Sequence, residues 1–451
     1  MDTSEIHVRA RYREALAMRA LELSPAPATE VILHEADSAL TRFTHNSIHQ
    51  NVGARSLNVR IRAIEGRHQG VASCDGTDDQ RLRATAERAL EIARLSPEDP
   101  DLPMPAAVGE PFSQPSGAFV EATAETEAGR RASLAEAIFQ QMEAGGLWGA
   151  GFVTTSSEGI TLANSAGLLA SFDASDAGIN VKANAANSTG FAEAYTRDQR
   201  VLDGAAVGAR AASKARESAD PRAVDPGDWT VIMEPAAFGE LLAYLASHFG
   251  AQSYTDGSSF LSDGLDRSYV GTNVTLRDDP RHPLVLGMPF DFEGNPALPV
   301  TLIDRGTGAH VVTDTYYAKR LGVPNTGRAL PAPNAYGPQP RALIMEPGAK
   351  SPEQLVAETG RGLLITRFWY IRPVDQRQTT VTGMTRDGTF LIEDGRIVSG
   401  VRNMRFNQSI LDCLRRCEPA SDLVRTGGYA YQSVVPTVKV EGFHFSSGTE
   451  F

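Results

Sequence analysis

Asp220-Pro221-Arg222-Ala223-Val224-Asp225-Pro226-Gly227 divides the chain into two unlike halves. Two Asp-Pro steps and a glycine stop any regular element, because proline lacks the N–H and pushes its predecessor out of the helical region. Before this cluster, the Ala-rich run Leu202–Ser218 reads as a helix. After it, Trp229–Met233 reads as a strand and Pro235–His248 as a helix. Proline suits that helix start, where its missing N–H is not needed. The pattern then turns mostly to β: Val300–Ile303, Ala309–Val312, Leu363–Tyr370, Thr379–Thr385, Thr389–Glu393 and Val434–Val440. Asp387-Gly388 and Asp394-Gly395 read as tight hairpin turns, and Phe406–Arg416 as a helix.

The first half mixes α and β. Glu5–Glu22 has helical spacing, with Ala15, Leu16, Ala20 and Leu21 among its apolar positions, and Ser24-Pro25-Ala26-Pro27 ends it. Glu30–Glu35 and Leu40–Phe43 read as strand, and Leu57–Ala63 alternates with period two, as a half-buried strand does. Leu82–Leu95 is an amphipathic helix. Five prolines between Pro100 and Pro115 predict a linker or extended surface segment. Glu121–Gly145 reads as a helix and Thr154–Lys182 as short strands broken by Gly and Asn. The expected fold class is therefore α+β, with an N-terminal domain over 1–115, a central one over 116–222 and a largely antiparallel β unit with a few helices over 228–451.

At 451 residues the chain is too long for one ordinary core. Its 41% hydrophobic and 22% charged residues give the balance of a globular protein, and apolar runs such as Leu241–Ala246 are far shorter than a membrane span. Met1–Ala20 is charged, without the apolar stretch of a secretory signal. Cys74, Cys413 and Cys417 are too few for a disulfide framework, so a cytoplasmic location is expected. The net charge of −12 and the lack of a basic run with aromatics argue against nucleic acid as a partner.

The residues by themselves offer no complete catalytic set. His34-Glu35 would open a zinc helix only with a histidine four residues on; that position holds Ser38, and the segment alternates like a strand. His45 and His49 are four apart without an acid between them, in a polar stretch. Cys413 and Cys417 lack a third metal ligand and read as one core cysteine and one near the helix end, although Arg415 and Arg416 stand nearby. Asp278-Asp279-Pro280 reads as a turn. Phosphate loops and the Gly-x-Ser-x-Gly nucleophile turn are absent.

A long ordered string carries a resemblance. It runs through Trp369-Tyr370-Ile371-Arg372-Pro373-Val374-Asp375, Thr382-Gly383-Met384-Thr385-Arg386-Asp387-Gly388-Thr389-Phe390, Ile392–Ile397 and Val401–Asn407. Weaker matches are Leu40–Phe43, Ala163–Gly167, Pro289–Gly294 and Asp314–Lys319. In these stretches, and over nearly its whole length, the chain resembles the TldD/PmbA family, also called the modulator of DNA gyrase family. TldD-type members carry His-Glu-x-x-x-His on a helix after a strand. Two histidines and a late cysteine hold zinc there, and the glutamate is the general base. TldE/PmbA-type members share the fold, lack those residues and pair with a TldD-type chain.

The matching segment here is Val231–Glu240. Aligned on the shared Gly239, the first histidine position holds Pro235, the base position Ala236 and the second histidine position Glu240. The late cysteine position falls near Asp422, with Cys417 five residues away. The resemblance therefore implies the branch without the metal: no zinc in this chain, zinc in a TldD-type partner, and unfolded or extended peptides as what the pair takes in. Two other readings stand beside it. One is a peptide-binding homodimer without enzymatic activity; the other is a hydrolase with a different metal set drawn from Glu240, His248 and His282.

Overall fold

The computed structural model describes residues 4–107, 109–427 and 432–449, so the first residues of the charged N-terminal run lie outside it. The N-terminal unit opens with α1 (Ser4–Leu23), β1 (Ala28–Thr44), β2 (Ser47–Glu65), β3 (His68–Cys74) and α2 (Asp79–Leu95). It continues with α3 (Glu121–Ala124), α4 (Ala128–Ala144), β4 (Trp148–Asn164), β5 (Leu169–Asn184), β6 (Thr189–Thr196) and α5 (Gly204–Glu217). All six strands form one antiparallel sheet in the order β3-β2-β1-β4-β5-β6. The proline-rich segment expected to separate domains 1–115 and 116–222 crosses this sheet without dividing it: β1 and β4 pair from Glu30–Asn164 to Thr44–Ala150. Thr154–Lys182 is likewise two long strands, not several short ones, because the apolar-small alternation continues through its glycines. Glu121–Gly145 is broken into α3 and α4 at Glu125–Glu127.

All four long helices cover one face of the sheet. Odd-numbered β1 residues Val31 and Leu33 pack on α1 and α2, and Phe43 packs on α4. The buried stripe of α1 includes Arg13 with Leu16, Ala17 and Ala20, whereas the expected Ala15 is exposed. Arg13 is admitted to this core because Glu35 and Asp173 neutralise it, at 2.9 and 2.6 Å. The opposite face is covered at one end only, where Ile160, Leu162 and Phe172 meet Met288 and Phe290 of the second unit.

That second unit contains β7 (Gly227–Met233), α6 (Pro235–Ala243), α7 (Ala251–Thr255), β8 (Leu276–Asp278), β9 (Val300–Asp304), β10 (Thr307–Gly308), α8 (Thr315–Leu321), β11 (Ala342–Met345) and α9 (Pro352–Ala357). Then come β12 (Arg361–Asp375), β13 (Thr380–Glu393), β14 (Arg396–Gly400), β15 (Met404–Ser409), α10 (Ile410–Arg415), β16 (Cys417–Pro419), β17 (Val424–Thr426), β18 (Gln432–Val435) and β19 (Val438–Gly448). Strands β12-β7-β19-β15-β13 close on themselves through a β12–β13 pairing. Phe368, Phe406, Phe443 and Phe445 fill the interior with ring centroids 4.7–5.8 Å apart. A second sheet has the order β10-β9-β8-β11-β18-β17. The fold is α+β, as expected, and mostly antiparallel.

Three local expectations change. Asp394-Gly395 is a hairpin turn between β13 and β14, as read, but Asp387-Gly388 lies inside β13 as a bulge. Both pairs have positive φ, 54° and 122° at Asp387-Gly388 and 47° and 74° at Asp394-Gly395, and the pairing of β12 on either side makes the first a bulge. Phe406–Ser409 is strand, with the helix starting only at Ile410, because Phe406 alternates into the barrel core. Asp278 is no turn residue. It sits on β8, fully buried, with Arg328 Nε 2.6 Å from its carboxylate. No helix among the described residues is long and apolar enough to cross a membrane.

Candidate functional site

The uncovered part of the first sheet faces the second unit across a cleft of about 800 Å³. Strand alternation decides its floor: Ala36, Ser38 and Leu40 from β1, Val52 and Ala54 from β2, and Thr154, Ser156 and Glu158 from β4 line it. These side chains are mostly small and uncharged, so the floor leaves room and offers hydroxyls without imposing a shape. Tyr195, Arg197 and Arg425 line it from the wall. Asp176 binds the wall together, paired with Arg425 and, at 3.4 Å, with Arg197, whose other amino group donates to the Val285 carbonyl at 2.6 Å.

Beside this wall, β6 brings Glu193 towards α6. The Tyr195 hydroxyl lies 3.5 Å from a Glu193 carboxylate oxygen. Burial pushes the Glu193 carboxyl up to about 7 against the pull of Arg367. Glu240 on α6 is likewise pushed up to about 7 by burial; Arg367 opposes the shift and Glu193 adds to it. Arg367, on β12, stacks 4.2 Å from the Phe191 ring centroid and 5.3 Å from that of Trp369. Its Nε donates to Asp387 at 2.9 Å, and Lys182 stands 3.3 Å from the other oxygen. Burial works against the Asp387 carboxylate, yet Arg367 and Lys182 together hold it below the usual range. The Asp387-Gly388 bulge thus turns a carboxylate inward to fix the guanidinium between the two units.

Sequence reasoning placed Glu240 here but missed Glu193, Tyr195, Arg367 and their partners. A signal existed. Phe191, Glu193 and Tyr195 alternate with Ala192 and Ala194, which is the period of a strand with one small-residue face on helices. The segment was too short and too poor in β-branched residues to stand out.

The remaining candidates are dispersed. Pro235 is the first residue of α6 after Glu234, whose carboxylate pairs with Lys214. Gly239 is required for packing, since a Cβ there would lie 2.2 Å from Thr426 Oγ1. Asp422 accepts from the Thr437 N–H and hydroxyl at 2.9 and 2.8 Å, so its oxygens are engaged. Cys417 is buried on β16, and burial pushes its thiol up to about 12. His248 lies in the core, where its Nδ1 accepts from the Phe260 N–H at 3.4 Å and burial lowers its pKa to about 4. His282 is held in a surface turn, accepting from the Leu284 N–H at 3.2 Å. His34 and Glu35 point to opposite faces, His34 towards Glu158 at 3.5 Å and Glu35 towards Arg13. His45 stacks on Trp148, and His49 is exposed on β2.

A zinc ion does not fit these residues. Proline and alanine offer no ligand atom at 235 and 236, and Glu240 favours the proton, whereas a catalytic zinc takes about three protein ligands. Among the described residues no group of three or more His, Cys, Asp or Glu side chains is placed to hold a metal. The arrangement can instead retain a proton near neutrality on two buried carboxyls, beside an anchored guanidinium and a polar strand floor.

Comparison with known proteins places this geometry. Residues 226–447 match the model of the PmbA/TldA metallopeptidase C-terminal domain, and residues 29–93 match PmbA/TldA metallopeptidase domain 1. A metalloprotease of Methanothermobacter thermautotrophicus is 23% identical over 259 residues, 55% of this chain and 54% of that protein. Metalloprotease PmbA of Escherichia coli O157:H7 is 25% identical over 243 residues, 52% of this chain and 51% of that one. The chain spans about half the length of the curated relatives it matches. The solved structure of TldE from Thermococcus kodakarensis superposes with a TM-score of 0.85 at 19% identity, covering 96% of this chain and 99% of that one, a likeness of fold. With both family domains matched in order and the fold shared end to end, this chain belongs to the TldD/PmbA family of metallopeptidase-related proteins.

Proposed function

We propose that this chain is a non-catalytic subunit that shapes the peptide-receiving cleft of a zinc peptidase whose metal sits in a TldD-type partner. The observation that carries this reading is α6. It occupies the place of the family's metal helix and keeps the glycine that packs it, yet presents Pro235, Ala236 and a proton-holding Glu240. Hydrolysis at neutral pH needs an activated water and a stabilised oxyanion, and Pro235 and Ala236 supply neither a metal ligand nor a base for them. What the cleft does offer suits an extended, unfolded polypeptide: a long polar floor of small residues that tolerates varied side chains.

The test is a peptide-release assay on this chain, a TldD-type chain and their mixture, each with and without a chelator. Chelator-sensitive release is expected from the mixture. Release by this chain alone would overturn the reading, and full release by the partner alone would favour the peptide-binding homodimer. Elemental analysis of the pure chain is expected to give no stoichiometric zinc; about one tightly held zinc per chain would refute the assignment.

A further inference from the structure

Pro289–Gly294 and Asp314–Lys319, two stretches that take no part in the cleft, meet at a second cavity of about 330 Å³. It lies between the two units, on the same sheet face as the cleft. Ile32 lines it and also packs against the apolar plug around Phe290, so the plug stands between cavity and cleft. The first unit supplies Arg60, Asp99 and the Arg62–Glu30 pair, whose closest atoms are 2.5 Å apart. The second supplies Phe292, Glu293, Asp314, Tyr316 and Tyr317. Lys319 of α8 pairs with Asp101 at 2.8 Å and ties the segment that carries Asp99 to this wall. Ligand pockets run from about 300 Å³ upward and favour such boundaries between units. This one suits a single amino acid, not a length of chain.

Arg62 and Glu30 neutralise each other, but the remaining charges have no such partner. Among the described residues, Asp99, Glu293 and Asp314 form no ion pair, and the Arg60 guanidinium has neither an ion pair nor a hydrogen-bond acceptor. Asp314 is only 7% exposed, and its carboxylate accepts from the Tyr317 N–H at 2.8 Å. Glu293 accepts from the Thr315 N–H at 3.1 Å, and burial pushes its carboxyl up to about 7, with Asp291 adding to the shift. Buried charges without a counter-charge are costly and attract one. A metal ion does not answer this need, because among the described residues these carboxyls are not grouped to hold one. An organic cation does. Tyr316 and Tyr317, with ring centroids 5.0 Å apart, and Phe292 offer it aromatic faces.

We propose that this cavity binds a free basic amino acid, arginine fitting best, with its carboxylate on Arg60 and its two cationic groups among Glu293, Asp314 and Asp99. A guanidinium fork takes a carboxylate bidentately. Arginine's own guanidinium stacks on aromatic rings better than an ammonium does. A neutral amino acid would leave the carboxyls without a counter-charge. The inference goes beyond the peptidase reading. The cavity lies apart from the cleft and needs no partner chain, so either reading can fail alone.

The experiment is calorimetric titration of the full chain at about pH 8, where Glu293 is ionised. The ligands are L-arginine, agmatine, which lacks the carboxylate, and L-leucine, which lacks the side-chain charge. The wild type is expected to bind arginine saturably, and about tenfold or more tightly than either analogue. Arg60→Met should remove the preference for arginine over agmatine while agmatine binding stays within about twofold. Glu293→Gln keeps the shape and should weaken arginine and agmatine alike by about tenfold. Native circular dichroism shows that the variants are folded. Arg60→Lys, expected to keep an intermediate preference, decides the matter where Arg60→Met does not fold. No saturable arginine binding, a full preference in the Arg60 variants, or Glu293→Gln binding as the wild type does would each overturn the proposal.

Discussion

Glu240→Gln should stabilise this protein above neutral pH and change it little in acid. The carboxyl is raised from the ordinary 4.5 to about 7 by burial, with Glu193 adding to the shift and Arg367 opposing it. A raised carboxyl pKa means that the folded state holds the proton more tightly than the unfolded chain. Between 4.5 and about 7 the native form therefore binds more protons, and stability falls as pH rises through that window. Above it the deficit is constant. At about 1.4 kcal/mol per pH unit, the gap amounts to about 3 kcal/mol. Glutamine keeps the shape and removes the ionisation. For a unit of this size, about 2–4 °C per kcal/mol predicts a melting temperature about 6–12 °C above wild type at about pH 8.5. Near pH 5 the gain should shrink to under about 1 kcal/mol. Calorimetry of both proteins across this range measures it. Melting curves that stay parallel to wild type at every pH would show that Glu240 is not held protonated, and the reasoning would fail. Glu193→Gln should behave alike, because burial raises that carboxyl to about 7 as well, and the double variant should gain less than the sum, because the Glu193 charge adds to the Glu240 shift.

Three further outcomes follow from buried contacts. Arg328→Met strands the Asp278 carboxylate and the Thr326, Gly327 and Leu298 carbonyls, and should cost about 3–5 kcal/mol in urea unfolding; an unchanged midpoint would refute the ion pair. Of the three thiols, only Cys74 should react with a thiol reagent at about pH 8 without denaturant, since burial raises Cys413 and Cys417 far above that pH; rapid labelling of all three would contradict the fold around β16. Gly388→Ala forces a Cβ to 2.6 Å from Thr366 Oγ1 at a φ of 122°, and should lower stability by about 1–3 kcal/mol, read by the same unfolding assay.

Much of the architecture was legible locally. The alternation of Leu57–Ala63, the amphipathic Leu82–Leu95, the breaker run at Asp220–Gly227 and the Asp394-Gly395 turn are statements about neighbouring residues, and each appears as read. Misreadings arose where identical local signals have different tertiary outcomes. Asp-Gly at 387 and at 394 ask for the same left-handed backbone, and only the pairing of β12 makes the first a bulge and the second a turn. Asp278 looked like a turn acid because Asp279-Pro280 follows it; its buried partner, Arg328, is fifty residues away.

Composition and period thus determined by themselves that this is an α+β protein with two unlike halves. Tertiary structure alone decided that one sheet spans the whole first half, and that Glu193, Glu240 and Arg367 converge from β6, α6 and β12. The reason is physical. Helix and strand preferences are set by residues a few positions apart, whereas a carboxyl's proton affinity depends on the burial and charges around it in space, and those come from segments far apart in the chain.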